Sequence, residues 1–267
     1  GPAAVVMIDC PWGRRLADEL RAAGLAPLTL SIAGAPDAVC RAEAIRVAGD
    51  GCSFDLVWHG QRHRGVRINL LGRHNVANAL CAMAATAACG VPVERVIAAA
   101  AHVPAVPGRL EFIPNTLGLI VVVDYAHTDD ALRNVLVCLR EVTHGAVWVV
   151  FGCGGERDRG KRPRMGAVAE ELADHVIVTS DNPRGEDAAA IAGEVCGGMR
   201  HAPRAVELDR RAAIALACRQ ARPGDVVVIA GKGHETYQEI NRVFYDYDDR
   251  VAARSVVAEL EAARVHA

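Results

Sequence analysis

The hydrophobic pattern of the chain changes character part-way along. In the first stretch, AAVVMID (3–9) and APLTLSI (26–32) read as strands. Between them WGRRLADELRAAG has the spacing of an amphipathic helix closed by Gly24. The shorter runs AEAIRVAGD, SFDLVWHG and QRHRGVRINL, within 42–70, predict an antiparallel meander. From Gly72 the period becomes helical through HNVANALCAMAATAACG, and again through PVERVIAAAAHV.

The proline-rich VPAVPGR (103–109) has no period and predicts a boundary near residue 106, between units of 1–105 and 106–267. Beyond it the alternation is regular. Strand-like LGLIVVVDY, AVWVVFG, HVIVTSD, RAVEL and DVVVIAG alternate with helical DDALRNVLVCLREV, KRPRMGAVAEELA, EDAAAIAGEVCGGM and RRAAIALACRQA, and DRVAARSVVAELEAARV closes the chain as a helix. Continuous Val/Ile runs between helices predict an α/β unit with a parallel sheet covered on both faces.

Ligands of such sheets bind outside the carboxyl ends of the strands. Polar clusters stand at four of those ends: DYAHT (124–128), GCGGERDRGKR (152–162), SDNPRGED (180–187) and GKGHE (231–235). In the second, three glycines let backbone N–H groups approach an anion, with Arg157 beside them; a flexible glycine turn followed by a solvated charge run fits as well. In the third, Asn182 and Pro183 suit an Asx turn, and Glu186 and Asp187 suit the first turn of a helix. Arg184 is left over, and a planar guanidinium at a strand end is suited to bidentate capture of a carboxylate. In the fourth, two glycines permit close approach, and Glu235 is an acceptor for an ammonium. Asp124 ends its strand as a ribose acceptor, a support for a catalytic group or a helix cap, a role Thr128 or Asp129 fills better. In GRHNVANALCA, Asn75 reads as a cap while Asn78 does not, and Arg109 beside the rigid Pro-Gly turn either reaches a phosphate or is solvated.

Composition narrows the classes. The 267 residues are 51% hydrophobic, 23% charged and 4% aromatic, with a net charge of −2, which argues for a globular protein and gives no basic field for nucleic acid. Nine cysteines, odd in number and without a C-x-x-C pair, fit a reduced cytoplasmic chain better than a disulfide framework or a zinc site. No apolar run reaches the ~18 residues of a membrane span, so no membrane partner is expected.

In order, GRHNVANAL, VPGRLEFI, VVDYAHTDDAL, FGCGGERDRGKRP, TSDNPRGED and AGKGHETYQ resemble the Mur ligase family, in its UDP-N-acetylmuramoyl-tripeptide synthetase branch. The resemblance covers nearly the whole chain. It implies a partial central, ATP-binding domain (1–105) followed by a Rossmann-like, mainly parallel C-terminal domain (106–267) that takes the incoming amino acid. By the resemblance Asn78, Arg109, Asp124 and His127 contact ATP. Arg157, Asp181, Asn182, Pro183, Arg184, Gly231 and Glu235 form a pocket for meso-diaminopimelate, which DNPR marks in place of lysine. The reaction implied joins that amino acid to UDP-N-acetylmuramoyl-L-alanyl-D-glutamate through an acyl phosphate, with ATP and magnesium.

The sequence departs from the family in lacking its G-T-x-G-K-T phosphate loop, the magnesium-binding residues, the carbamylated lysine and the UDP-binding domain. Cys10 and Asp129 are also unusual at their positions. The expectation is therefore that this chain alone neither hydrolyses ATP nor ligates, that the native product is longer or degenerate, and that the missing N-terminal portion is a candidate partner. Its first sheet is expected to expose an apolar flank. The competing readings are a catalytically inactive amino-acid-binding module and a folylpolyglutamate synthetase relative.

Overall fold

The computed structural model describes residues 4–48, 51–104 and 106–265, and the chain divides at residue 105 into two compact units. In the first, β1 (Ala4–Met7), α1 (Pro11–Ala22), β2 (Pro27–Ser31), β3 (Cys40–Ala48), β4 (Gly51–Trp58) and β5 (Gln61–Ile68) precede α2 (Arg73–Ala88) and α3 (Val93–Ala100). The sheet runs β1-β2-β3-β4-β5, with parallel pairing up to β3 and antiparallel pairing beyond. Helix α1 begins where the Cys10 thiol caps the Gly13 amide, with Pro11 in the first turn, and Gly24 follows it at a positive φ of 76°. That gives the unusual Cys10 a local task. The two-residue turn His59–Gly60, both at positive φ, sets the β4–β5 hairpin. Phe54, Leu56, Val66 and Ile68 pack against Val76, Leu80 and Met83 of α2.

The first unit corrects one expectation. Asn75 is not the cap of α2: Gly72 holds that position without a side-chain bond, and Asn75 lies inside the helix, donating to the Leu71 carbonyl at 2.8 Å. Strand β1 has a single partner among the described residues, and Trp12 on the neighbouring helix is 75% exposed.

The second unit carries β6 (Glu111–Ile113), β7 (Ile120–Asp124), α4 (Asp129–Val142), β8 (Val147–Phe151), α5 (Lys161–Leu172), β9 (His175–Val178), α6 (Ala188–Cys196), β10 (Ala205–Val206), α7 (Arg210–Gln220), β11 (Val226–Ala230), β12 (Tyr237–Ile240), β13 (Val243–Asp246) and α8 (Asp249–Val265). Its main sheet runs β10-β9-β8-β11-β7-β6, parallel throughout except for the short β6 at the edge. Fully buried Val, Ile and Phe fill β8 and β11, as expected of strands covered on both faces. Helices α7 and α8 pack on the face bearing Val121, Val123, Val150, Ile177, Val227 and Ile229. No helix among the described residues is long and apolar enough to cross a membrane.

Register sets up the site. Asp124, Ala230 and Phe151 stand side by side, and Phe151 is opposite Val178, so four strand ends finish at one level. The polar loops that follow them share one rim. The β12–β13 hairpin turns through Asn241 and Arg242, both at positive φ, and rises beside that rim.

Candidate functional site

The loop after β9 and the loop after β11 are interlocked by a buried polar core. Asn182 is 1% exposed. Its Oδ1 accepts from Lys232 Nζ at 2.8 Å and from the Glu239 amide at 3.0 Å, which turns Nδ2 toward Glu235 Oε2 at 2.9 Å. Glu235 Oε2 also pairs with Lys232 Nζ at 3.4 Å, while its Oε1 has no partner among the described residues. Burial pushes the Lys232 ammonium toward its neutral form, and Asp181 and Glu235 oppose this while Arg210 adds to it. Asp181 accepts the Asn182 amide at 2.6 Å. Gly231 stands at φ 118°, and a Cβ there would lie 2.8 Å from Asp181 Oδ2, so this close approach requires glycine.

Arg184 explains itself in two ways. Its backbone, at φ 54°, acts as a one-residue strand: its amide donates to the Glu239 carbonyl and its carbonyl accepts from Asn241. Its side chain pairs through Nε with Glu239 at 3.2 Å and donates through Nη1 to the Gly155 carbonyl at 2.7 Å. Nη2 makes no bond within the described residues, so one donor is left for a ligand.

The glycine loop after β8 lies against the same segment. The Gly155 amide donates to the Asn182 carbonyl at 2.9 Å, and a Cβ on Gly155 would meet the Pro183 oxygen at 1.9 Å. Arg162, fully buried, clamps this contact: it holds both oxygens of Glu186 at 2.9 Å, Glu194 at 2.8 Å and the Gly154 carbonyl at 3.2 Å. The expectation that Glu186 opens α6 is therefore corrected. Asp187 is the cap, accepting from the Ala189 amide, and Glu186 turns back to Arg162. Arg162 and the Glu156 amide hold the Glu186 carboxyl down, to about 2. Arg157 is exposed beside the loop, and among the described residues its guanidinium bonds the Glu156 carbonyl at 3.3 Å.

A second buried arginine joins strand ends. Arg210, at the start of α7, binds both oxygens of Asp249 at 2.7 Å and donates to the carbonyls of Ser180 and Ala230. The charge of Asp249 and its hydrogen bonds outweigh burial and hold Arg210 firmly protonated. None of Arg162, Arg210 and Lys232 stands out in the sequence: Arg162 and Arg210 lie in short runs of charged residues, and Lys232 is a single lysine between two glycines.

The remaining residues gather around β7. Asp124 is no cap: Thr128 caps α4, and Asp124 accepts from the Leu110 and Ala126 amides at 2.8 and 2.7 Å. Asp129 pairs with Arg164 at 3.0 Å. The Arg109 guanidinium sits 4.7 Å over the Tyr125 ring, which also contacts the rings of His127 and His234. Gly108 is pressed against Gly233, where a Cβ would be 2.1 Å from its carbonyl carbon. Exposed cation and imidazoles above a braced turn form a donor set that fits the phosphates of a nucleotide. Asn78 belongs to the first unit, exposed on α2, where it donates to Asn75 at 3.2 Å and borders an apolar cavity of about 550 Å³.

Comparison with known proteins gives two family matches: "Mur ligase middle domain" over residues 1–86 and "Mur ligase, glutamate ligase domain" over residues 108–233. The UDP-N-acetylmuramoyl-L-alanyl-D-glutamate–2,6-diaminopimelate ligase of Geobacter metallireducens is 43% identical, covering 97% of this chain and 53% of that protein. The enzyme of the same name from Streptomyces avermitilis is 42% identical, over 96% and 51%. A solved structure of a ligase of this name superposes with a TM-score of 0.71 at 37% identity, covering 96% of this chain and 53% of that one. A folylpolyglutamate synthase from Thermotoga maritima, at 17% identity and TM-score 0.66, shares the fold. The chain thus spans about half the length of the curated relatives it matches.

Proposed function

Because this chain belongs to the Mur ligase family, we propose that it carries the acceptor half of an ATP-dependent ligase that adds meso-diaminopimelate to UDP-N-acetylmuramoyl-L-alanyl-D-glutamate in the cytoplasm. The observation behind this reading is the pairing of one open donor with one open acceptor at the rim. Glu235 bonds buried Asn182 directly and Arg184 is tied to it through Glu239, and Arg184 Nη2 and Glu235 Oε1 lack partners among the described residues. An α-amino-acid centre presents the complementary pair, a carboxylate and an ammonium. Diaminopimelate has two such centres, so one is held while the other offers its amine. Arg157 is placed to cover the held end, and Asp181, Pro183 and Gly231 shape its floor.

In the second unit Arg109, Asp124 and His127 are assigned to ATP, and Asn78 of the first unit is assigned to it separately. Bound with magnesium, ATP would supply the phosphoryl group that activates the D-glutamate carboxylate which the amine then attacks. The chain's own part is to fix the amine and neutralise its partner carboxylate without a protein nucleophile.

Calorimetric titration with meso-diaminopimelate tests the reading. Wild type is expected to bind, and Arg184→Ala to bind at least about tenfold more weakly, as loss of a charge-assisted bond predicts. Equal affinity in the two proteins removes Arg184 from the pocket.

A further inference from the structure

We propose that Lys232 is a positioning residue that sets the preference of the pocket for diaminopimelate over lysine. This rests on the amino-acid reading of the pocket and deepens it. Lys232 is 0% exposed, so its ammonium faces protein groups rather than the open rim. It acts through Asn182 and Glu235. An asparagine amide is nearly symmetrical in shape, so its orientation is decided by its neighbours. Here both neighbours of Oδ1, Lys232 Nζ at 2.8 Å and the Glu239 amide at 3.0 Å, can only donate. They force Nδ2 outward to Glu235, and Lys232 draws Glu235 Oε2 inward at the same time. The second oxygen of Glu235 is thereby turned to the open side.

Lys232 also sets the charge. Asp181, Glu235, Glu239 and Asp249 give four negative charges around this core, and Lys232, Arg184 and Arg210 give three positive ones, leaving −1. Without Lys232 the balance is −2. Diaminopimelate is net neutral and lysine carries +1, the two differing by one carboxylate. Loss of Lys232 therefore favours lysine electrostatically and releases the amide that orients the site. A lesion that merely loosened the fold would weaken both ligands alike.

The test is titration of meso-diaminopimelate and of L-lysine into the full chain as wild type, Lys232→Met and Lys232→Gln. In wild type diaminopimelate is expected to bind the tighter. In Lys232→Met the ratio of the lysine to the diaminopimelate dissociation constant is expected to fall by about tenfold, with Lys232→Gln intermediate because it keeps a donor. An unchanged ratio, even with both affinities reduced, overturns the proposal. A wild-type chain that binds neither amino acid fails the underlying pocket reading instead. Should both variants not fold, the Lys232 ammonium in ¹⁵N-labelled wild type decides the matter. Slow exchange and correlation to the Asn182 side chain support the assignment, and exchange at the bulk rate refutes it.

Discussion

Replacing Arg210 by Met isolates what the buried ion pair does for the second unit. Both side chains of the Arg210–Asp249 pair are 0% exposed. The substitution keeps most of the apolar stem and removes four hydrogen bonds, two to Asp249 and one each to the carbonyls of Ser180 and Ala230. Asp249 is then a buried, uncompensated charge, which costs about 3–5 kcal/mol. Each orphaned carbonyl adds about 1–3 kcal/mol when nothing replaces the donor. These costs share the same relaxation and do not simply add, so about 4 kcal/mol is the expected loss. For a unit of this size that is roughly 8–16 °C in the unfolding midpoint. The assay is denaturant unfolding followed by Trp148, which lies in the core of the second unit, in a background where Trp12 and Trp58 are Phe. The companion Arg210→Met/Asp249→Leu is expected to regain more than half the loss, because no charge is stranded. A single substitution costing under about 1 kcal/mol, or a double costing as much as the single, refutes the reasoning.

Two further outcomes follow from the same geometry. The Glu186 carboxyl is held down to about 2 from 4.5, so its stabilising effect is complete above about 4.5 and is lost as the pH falls through about 2. The acid-induced fall in unfolding midpoint across that window is expected to be shallower in Glu186→Gln, and parallel curves for the two proteins contradict the clamp. Burial pushes the thiols of Cys40, Cys153 and Cys218 up to about 12, whereas Cys10 and Cys89 are exposed. Peptide mapping after brief maleimide treatment of the native chain near neutral pH is expected to find Cys10 and Cys89 labelled first. Rapid labelling of Cys153 contradicts the packing of the glycine loop.

The elements that the sequence revealed are those whose period is long and whose burial is one-sided or complete, such as the Val-rich β8 and β11 and the helices between them. The β12–β13 hairpin escaped because its turn is Asn241–Arg242. Arginine is not a usual residue for a positive φ, and the contacts Arg184 makes with Glu239, Ile240 and Asn241 are long-range and invisible in the local sequence. Strand β6 escaped because three residues carry no period. Among site residues, SDNPRGED and GKGHE were visible as polar loops at strand ends, a placement topology alone predicts. Their supports were not visible. Arg162 and Arg210 sit in the first turns of helices, where a cation normally reads as solvated, and only the fold brings Glu186 and Asp249 to them. Glu186 misled for the related reason that a carboxylate beside a helix start suits two roles equally until a distant arginine claims it.

The one-residue strand made by Arg184 separates two properties that usually change together. Its amide and carbonyl hold the hairpin backbone, and its guanidinium joins Glu239 of the hairpin to the Gly155 carbonyl of the rim. A residue that accepts a positive φ without that guanidinium keeps the two backbone bonds that seat the hairpin, while giving up the ion pair with Glu239 and the Arg184 cation at the rim. For anyone re-engineering the loop toward another amino acid, asparagine or glycine at 184 is therefore the conservative starting point, and alanine, which resists a positive φ, is the more disruptive change.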